Sequence, residues 1–163
     1  MQKIVPFLWF DKNAEEAMSF YVDVFKNSPG REAADSAIVS INRYPGGYTE
    51  GPMAGMEGKV LTGIFKLAGQ KMMCLDGGPI FRFNEAISLY VECEDQAEID
   101  YFWENLSAVP ESEQCGWLKD KFGLSWQIIP KNMSELMKSK EQMETMLKMK
   151  KIVISDLEKA TGK

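Results

Sequence analysis

The chain contains no histidine among its 163 residues. Histidine is the side chain that most often acts as a general base near neutral pH, and it is also the commonest metal ligand. Its absence excludes Ser-His-Asp and Cys-His nucleophilic systems and every zinc site that uses an imidazole. The three cysteines, Cys74, Cys93 and Cys115, lack the CxxC spacing of a zinc motif. The sequence therefore assigns neither a catalytic residue nor a metal site.

Other features are also scarce. The cysteine count is odd and no two cysteines are closely spaced, which argues against a disulfide framework and predicts a reducing, cytoplasmic location. No apolar run reaches the roughly 20 residues of a membrane span. The apolar N-terminus leads directly into a helical pattern, and we interpret it as a strand rather than a signal peptide. The net charge of −5 argues against general nucleic-acid binding.

An internal repeat organises the chain. Residues 8–11 (LWFD) are matched 81 positions later by residues of similar type at 89–92 (LYVE). Each copy is followed by a candidate helix N-cap with a glutamate three residues on, Asn13 with Glu16 and Asp95 with Glu98. The offset of 81 also pairs the apolar positions of two amphipathic helices, each spaced i, i+3, i+4, i+7: Met18, Tyr21, Val22 and Phe25, and Ile99, Phe102, Trp103 and Leu106.

Each half of the chain is predicted to fold as strand, helix and further strands. Apolar runs predict strands at residues 4–10, 34–43, 60–67 and 71–76, and again at 86–93, 113–119 and 124–130. The segment 44–58 has five glycines and two prolines and is predicted to be a long loop. Methionines at helical spacing mark a helical tail. We expect one α+β domain, 1–163, with a first module at 1–80, a second at 81–131 and the tail at 132–163.

Three long strings place the chain beside a known family: residues 81–88 (FRFNEAIS), 115–127 (CGWLKDKFG and SWQ within it) and 146–152 (MLKMKKI). On these strings the chain resembles the PhnB-like family, which is often labelled 3-demethylubiquinone-9 3-methyltransferase. That family falls in the vicinal-oxygen-chelate superfamily of glyoxalases, bleomycin-resistance proteins and ring-cleaving dioxygenases. The resemblance implies two βαβββ modules whose sheets curl into a cup.

The resemblance also implies four cup-facing metal positions, two on the first strands of the modules and two on the last. They fall on Val5, Cys74, Ala86 and Gln127. Val5 and Ala86 lie 81 residues apart, in agreement with the repeat, but neither has a ligating atom. Such a set does not resemble the His/Glu shell that these metals prefer. We therefore expect no metal and no other cofactor.

Strand side chains alternate between the two faces of a sheet, so the mapped positions predict the lining of the cup. The same alternation places Asp76, Ser125 and Ile129 in phase with the mapped positions. The lining suits a small organic molecule with an aromatic or amphipathic body, although the apolar side chains could instead fill the cup. The predicted ligand-binding residues are Phe7, Trp9, Met72, Cys74, Ser88, Tyr90 and Gln127.

Three functions follow from these observations. The first is metal-free binding of a small organic molecule, with Cys74 as an inert buried thiol. The second is a metal-dependent lyase or isomerase, and the third is the methyltransferase of the family label. The glycine pairs at 46–47 and 77–78 do not precede a helix in a βαβ unit, which gives the third no support. The Met-rich tail and the loop 44–58 are suitable contact elements for a homodimer, which is the partner we expect.

Overall fold

The computed structural model describes residues 2–30 and 35–160. Within these ranges the chain divides into two compact units, residues 2–27 with 35–82 and residues 28–30 with 83–160. Each unit contains one sheet, of four and three strands respectively, and helices continue to the C-terminal end of the described chain. The α+β class and the helical tail predicted from the sequence are confirmed.

The first unit has the βαβββ order. Its four strands form a sheet in the order β1-β4-β3-β2, in which β1 runs parallel to β4 and the other neighbours are antiparallel. A two-residue turn with positive φ at Ala68 and Gly69 joins the central pair. The elements are β1 (Phe7–Phe10), α1 (Ala14–Lys26), β2 (Ala37–Arg43), β3 (Val60–Leu67) and β4 (Gln70–Asp76).

Helix α1 covers one face of this sheet. Its apolar side, spaced as predicted, is buried at Met18 and Tyr21. The Tyr21 ring stacks on Phe65 of β3, with 6.5 Å between ring centroids. A Cβ at Gly63 would come within 2.5 Å of Met18 Sδ and 2.8 Å of Cys74 Sγ, so the helix and the sheet approach closely at this glycine. The core of the first unit therefore lies between α1 and the face that carries Phe65 and Cys74.

The start of α1 is fixed by a residue that is distant in sequence. Asn13 occupies the N-cap position, but its side chain makes no capping hydrogen bond, so the predicted cap is wrong in this detail. Instead, the buried Asp76 carboxylate accepts the Ala14 N–H at 2.8 Å. Its second oxygen accepts the Val60 N–H at 2.9 Å. One carboxylate at the end of β4 thus anchors both the first turn of α1 and the start of β3.

The second unit has a smaller sheet, in the order β5-β7-β6, with β5 parallel to β7. It forms two strands after its helix in the described chain, one fewer than the βαβββ pattern. A 3-10 turn at Pro110–Ser112 occupies part of the intervening segment. The elements are β5 (Ser88–Cys93), α2 (Gln96–Leu106), β6 (Trp117–Lys119) and β7 (Ser125–Pro130).

Helix α2 begins as the sequence predicted, because Asp95 accepts the Glu98 N–H at 3.0 Å. Its apolar side is buried at Ile99, Phe102 and Leu106. The helix packs on the second sheet, whose fully buried alternate residues are Leu118, Trp126 and Ile128. These residues define the helix-covered face of the second sheet.

Most predicted strands are shorter in the structure. The strand predicted at 113–119 forms only at Trp117–Lys119, because Cys115 and Gly116 take left-handed backbone conformations with φ of 51° and 86°. The strand predicted at 4–10 begins at Phe7, and that predicted at 86–93 begins at Ser88, so neither Val5 nor Ala86 lies in a strand. Ala34, the predicted start of β2, lies outside the described residues.

The tail consists of α3 (Met133–Leu136), α4 (Lys140–Met146) and α5 (Ile154–Lys159). A Ser139–Gln142 capping box starts α4. The tail buries Leu136, Ile152 and Leu157 in a cluster with Ile129 of β7. Four methionines of the tail pack against this cluster: Met133, Met137, Met146 and Met149.

Candidate ligand-binding faces

Face 1 is the side of the first sheet opposite α1. Phe7 and Trp9 of β1 pair in register with Met73 and Leu75 of β4, and Met73 pairs in turn with Ile64 of β3. Register partners point to the same side of a sheet, so these side chains share one face. Phe7 is 49% exposed. We use the name face 1 for the apolar and aromatic part of this side, which consists of Phe7, Trp9, Ile64, Met73 and Leu75. The register also places the polar residues Thr62, Lys66 and Lys71 on this side.

Met72 and Cys74 do not belong to face 1. Cys74 pairs with Leu8, and Met72 pairs with Phe65, which places both on the side covered by α1. Both side chains are buried. The prediction that Met72 and Cys74 share a face with Phe7 and Trp9 is wrong, because a shift of one residue moves every side chain of a strand to the other side. Asp76, in phase with Cys74, is likewise on the covered side.

Trp9 is held in a fixed position on face 1. Its Nε1–H donates to the Gly78 carbonyl at 2.9 Å, and Phe81 packs edge-on against it with 5.0 Å between ring centroids. A Cβ at Gly77 would come within 2.2 Å of the indole, so only glycine leaves room for the ring there. The Gly77–Gly78 pair thus positions an aromatic side chain and is followed by no helix before β5.

Face 2 is the side of the second sheet opposite the buried set Leu118, Trp126 and Ile128. The register arranges its side chains in two rows that run across the strands. In one row Gln127 of β7 lies between Tyr90 and Trp117. In the other, Ser125 of β7 lies between Ser88 and Lys119. Face 2 therefore carries an aromatic–amide–aromatic row beside a polar row: Tyr90, Gln127 and Trp117, and Ser88, Ser125 and Lys119. Beyond the aromatic row, Glu92 pairs with Ile129 on the same side.

The polar groups of face 2 are connected in part. Gln127 Nε2 donates to Ser88 Oγ at 2.8 Å. Lys119 forms an ion pair with Glu85, which lowers the pKa of that carboxyl below its ordinary value. Burial raises the pKa of Tyr90 above its ordinary value, with a smaller contribution from Glu92, and 52% of the residue is exposed. The phenol is protonated at neutral pH, as an ordinary tyrosine is.

Ser125 differs from the other polar residues of face 2 because it is buried and its hydroxyl makes no hydrogen bond. The residue is 1% exposed, and its hydroxyl is buried without a hydrogen-bond partner. The next in-phase residue of β7, Ile129, belongs to the apolar cluster of the tail and is not available to a ligand. The tail therefore covers face 2 at Ile129. The polar groups that β7 can offer to a ligand are those of Ser125 and Gln127.

Alternation within single strands placed Ser88, Tyr90 and Gln127 together, and the register agrees. Sequence reasoning missed the apolar members of face 1 that lie on β3 and β4. On face 2 it missed Trp117 and Lys119. The pairing of β6 with β7 is the observation that brings them in, and alternation within one strand contains no information about which strand lies beside it.

The cysteines are buried to different degrees. Burial, with a smaller contribution from Asp76, raises the pKa of Cys74 to about 12, and burial also raises the pKa of Cys93 to about 12. We expect neither thiol to react with a disulfide reagent at pH 8, where about one molecule in ten thousand would hold the thiolate. Only Cys115, which is partly exposed, should be labelled in the native protein, and all three in denaturant. Cys115→Ser should therefore abolish native labelling, and peptide mapping that found Cys74 modified would contradict this assignment.

The metal positions of the superfamily can be compared with the register. Trp9 and Tyr90 are repeat equivalents, and they pair with Leu75 and Gln127 respectively. The counterpart of Gln127 in the first unit is thus Leu75 rather than Cys74. Three of the four positions are then Val5, Leu75 and Ala86, whose side chains offer no donor atom. In addition, residues 2–30 and 35–160 contain no cluster of three or more His, Cys, Asp or Glu side chains that could hold a metal ion. These residues do not fit a metal ion.

The two sheets, each with a helix on one face and its first strand parallel to its last, define a duplicated α+β protein of the glyoxalase/bleomycin-resistance fold. A family model described as 3-demethylubiquinone-9 3-methyltransferase matches residues 2–129. The chain belongs to this family, the PhnB-like proteins.

Two solved structures illustrate the relationship. One is a PhnB protein from Bacillus cereus, provisionally described as a 3-demethylubiquinone-9 3-methyltransferase. It is 41% identical, with a TM-score of 0.61, over 79% of this chain and 99% of its own. A protein from Pseudomonas aeruginosa shares the fold at 20% identity and a TM-score of 0.58, over 80% of this chain and 98% of its own. No curated protein matches the sequence. Among the described residues, no helix is both long and apolar enough to cross a membrane.

Proposed function

We propose that this protein binds small organic molecules with an aromatic or amphipathic body, at face 1 of the first unit and at face 2 of the second, without a metal ion. The observation that carries the proposal is the row on face 2 in which two aromatic side chains, Tyr90 and Trp117, flank the amide of Gln127. Small-molecule sites typically combine aromatic surface with a few polar groups that fix orientation.

Face 1 supports the same function from the other repeat. Trp9 holds the position equivalent to Tyr90, and its indole is fixed by the Gly78 carbonyl and Phe81. A ring that is already ordered loses little side-chain entropy when a ligand packs on it. The residues at the superfamily's metal positions supply no ligand set, so binding rather than metal-assisted lyase chemistry is the function they favour.

The methyltransferase description of the family lacks corresponding residues. A Rossmann-type S-adenosylmethionine site uses a glycine-rich turn between a strand and a helix. In the described chain Gly77 and Gly78 follow β4 but lead to β5 with no helix between, and Gly77 accommodates Trp9. The space beside Gly77 is thus filled by the indole, and neither glycine begins a helix.

The proposal can be tested with 1-ethylnaphthalene as a probe that has an aromatic body and no hydrogen-bonding group. Equilibrium dialysis should show saturable binding to the purified protein. Trp9→Ala should weaken binding at face 1 and Tyr90→Ala should weaken binding at face 2, each by about tenfold, or 1.4 kcal/mol, because each removes a large aromatic contact. Trp103→Ala, on α2 and on neither face, is the matched control and should change the affinity by less than about twofold.

Native mass spectrometry of the protein as isolated provides an independent check. We expect a species at twice 18.5 kDa, because we propose a homodimer in the cytoplasm, and we expect no stoichiometric metal. Stoichiometric Zn, Ni, Mn or Fe would overturn metal-free binding. Saturable binding of S-adenosylmethionine by calorimetry would favour the methyltransferase instead.

A further inference from the structure

We propose that the Ser88 and Ser125 hydroxyls form a subsite for one carbonyl oxygen and that Gln127 orients it, so that the ligand is an aryl carbonyl compound. This inference rests on the function proposed above and specifies the class of ligand. It concerns face 2, which lies entirely within the second unit.

The first observation is the unpartnered hydroxyl. Ser125 is 1% exposed, and its Oγ has no hydrogen-bond partner. Buried polar groups nearly always have a partner, and other buried polar side chains of this unit do. Asp120 accepts three hydrogen bonds, and Gln142 bonds to the tail backbone. Ser125 therefore departs from the pattern of its own unit, as expected of a group whose partner is a bound molecule.

The second observation is the neighbour of Ser125 on β5. Ser88 is its register partner. Ser88 Oγ accepts a hydrogen bond from Gln127 Nε2 at 2.8 Å, which leaves the Ser88 proton to donate. Neighbouring strands lie about 4.8 Å apart, so the two hydroxyl protons can reach the same acceptor. A carbonyl oxygen has two lone pairs and accepts two such bonds.

The polar row of face 2 carries no net charge, which favours a neutral ligand oxygen over an anionic one. Lys119 is the third member of the polar row, and Glu85 already neutralises it. A carboxylate or phosphate placed there would meet two hydroxyls and a paired cation. A ketone requires no counter-charge. The proposal requires the ligand to displace the Lys119 side chain, which is the neighbour of Ser125 in the polar row. Its ion-pair partner Glu85 is 63% exposed, so we expect breaking that pair to cost little.

The aromatic row specifies the rest of the ligand. Tyr90 and Trp117 lie two residues along their strands from Ser88 and Lys119, a distance of about 6.6 Å at the ordinary strand rise. An aromatic ring bonded directly to the carbonyl carbon spans this distance. It then contacts the aromatic row while its oxygen lies at the serines.

The test compares 1-acetylnaphthalene with 1-ethylnaphthalene, which replaces the carbonyl by a methylene group. In equilibrium dialysis the wild-type protein should bind the ketone at least tenfold more tightly. Ser125→Ala and Ser88→Ala should each bring the ratio of the two Kd values to about one. Ser134→Ala, at an exposed serine on α3, should keep the wild-type ratio.

Infrared spectroscopy of the ketone labelled with ¹³C at its carbonyl reports hydrogen bonds to the carbonyl oxygen directly. If Ser125 had only a structural role, its replacement would leave the carbonyl stretching frequency unchanged. Two hydrogen bonds should lower the stretching frequency in the wild-type complex, and Ser125→Ala should raise it partway back. Ser125→Ala removes an unpartnered hydroxyl, so we expect the variant to fold.

Equal binding of the two probes by the wild-type protein would overturn the carbonyl subsite while leaving the proposed binding function intact. A tenfold preference for the ketone that persists in Ser125→Ala would also overturn the carbonyl subsite. The partner of the buried Ser125 hydroxyl would then be a water molecule rather than a ligand. Binding of neither probe would overturn both proposals.

Discussion

Replacing Asp120 by alanine should lower the free energy of unfolding by about 3–5 kcal/mol. The Asp120 carboxylate is buried at the turn between β6 and β7. It accepts the backbone N–H groups of Phe122 and Leu124 at 2.8 and 3.1 Å and the Trp126 indole N–H at 2.8 Å. Alanine would leave these donors without that acceptor in the interior. The turn joins the two strands that carry Trp117 and Gln127, so we expect face 2 to lose its order with it.

Urea unfolding followed by circular dichroism would measure this change. Asp120→Asn retains one carbonyl oxygen as an acceptor and should cost less than alanine. Glu104→Ala, at an exposed position of α2, is the control and should stay within about 0.5 kcal/mol of the wild type. A loss below about 1 kcal/mol for Asp120→Ala would show that the carboxylate is not the anchor of this turn.

Replacing Asp76 by alanine should cost about 2–4 kcal/mol. The carboxylate accepts the Ala14 N–H at the start of α1 and the Val60 N–H at the start of β3. Both donors lie in the core of the first unit. Alanine would therefore remove a helix cap and leave a strand N–H unsatisfied in one step.

The same unfolding experiment tests this prediction. Asp76→Asn, whose amide has one acceptor oxygen, can satisfy one of the two N–H groups and should lie between alanine and the wild type. Asp11→Ala, at an exposed aspartate close in sequence to α1, serves as the control. If Asp76→Ala and Asp11→Ala proved equally mild, water would have to replace the carboxylate at both donors.

The repeat of 81 residues was readable from the sequence because it relates whole elements, the strand before each helix and the apolar side of the helix. The face assignment succeeded on β5 and β7, where polar Ser88 and Gln127 alternate with apolar residues. It failed on β4. Residues 72–75 (MMCL) are apolar at every position, so the strand has no internal period, and only its pairing with β1 shows which side Cys74 takes.

Two features of the site region depend on residues that are distant in sequence. Asp76 caps a helix that begins 62 residues earlier, and local capping rules pointed instead to Asn13. The missing partner of Ser125 is visible only once its surroundings are known. Sequence patterns report local preference, whereas both of these features arise from how strands and helices meet.

The parallel pairing of the first strand with the last has a consequence for folding kinetics. Leu8 pairs with Cys74 and Leu89 with Trp126, so each unit must close a long chain loop before its sheet is complete. The entropy of loop closure grows only with the logarithm of loop length, which favours the shorter second loop by about 0.5 kcal/mol. Nascent chain that ends before β7 lacks Ser125 and Gln127 altogether. Face 2 therefore forms only when β7 joins the second sheet, and no shorter nascent chain contains the proposed carbonyl subsite.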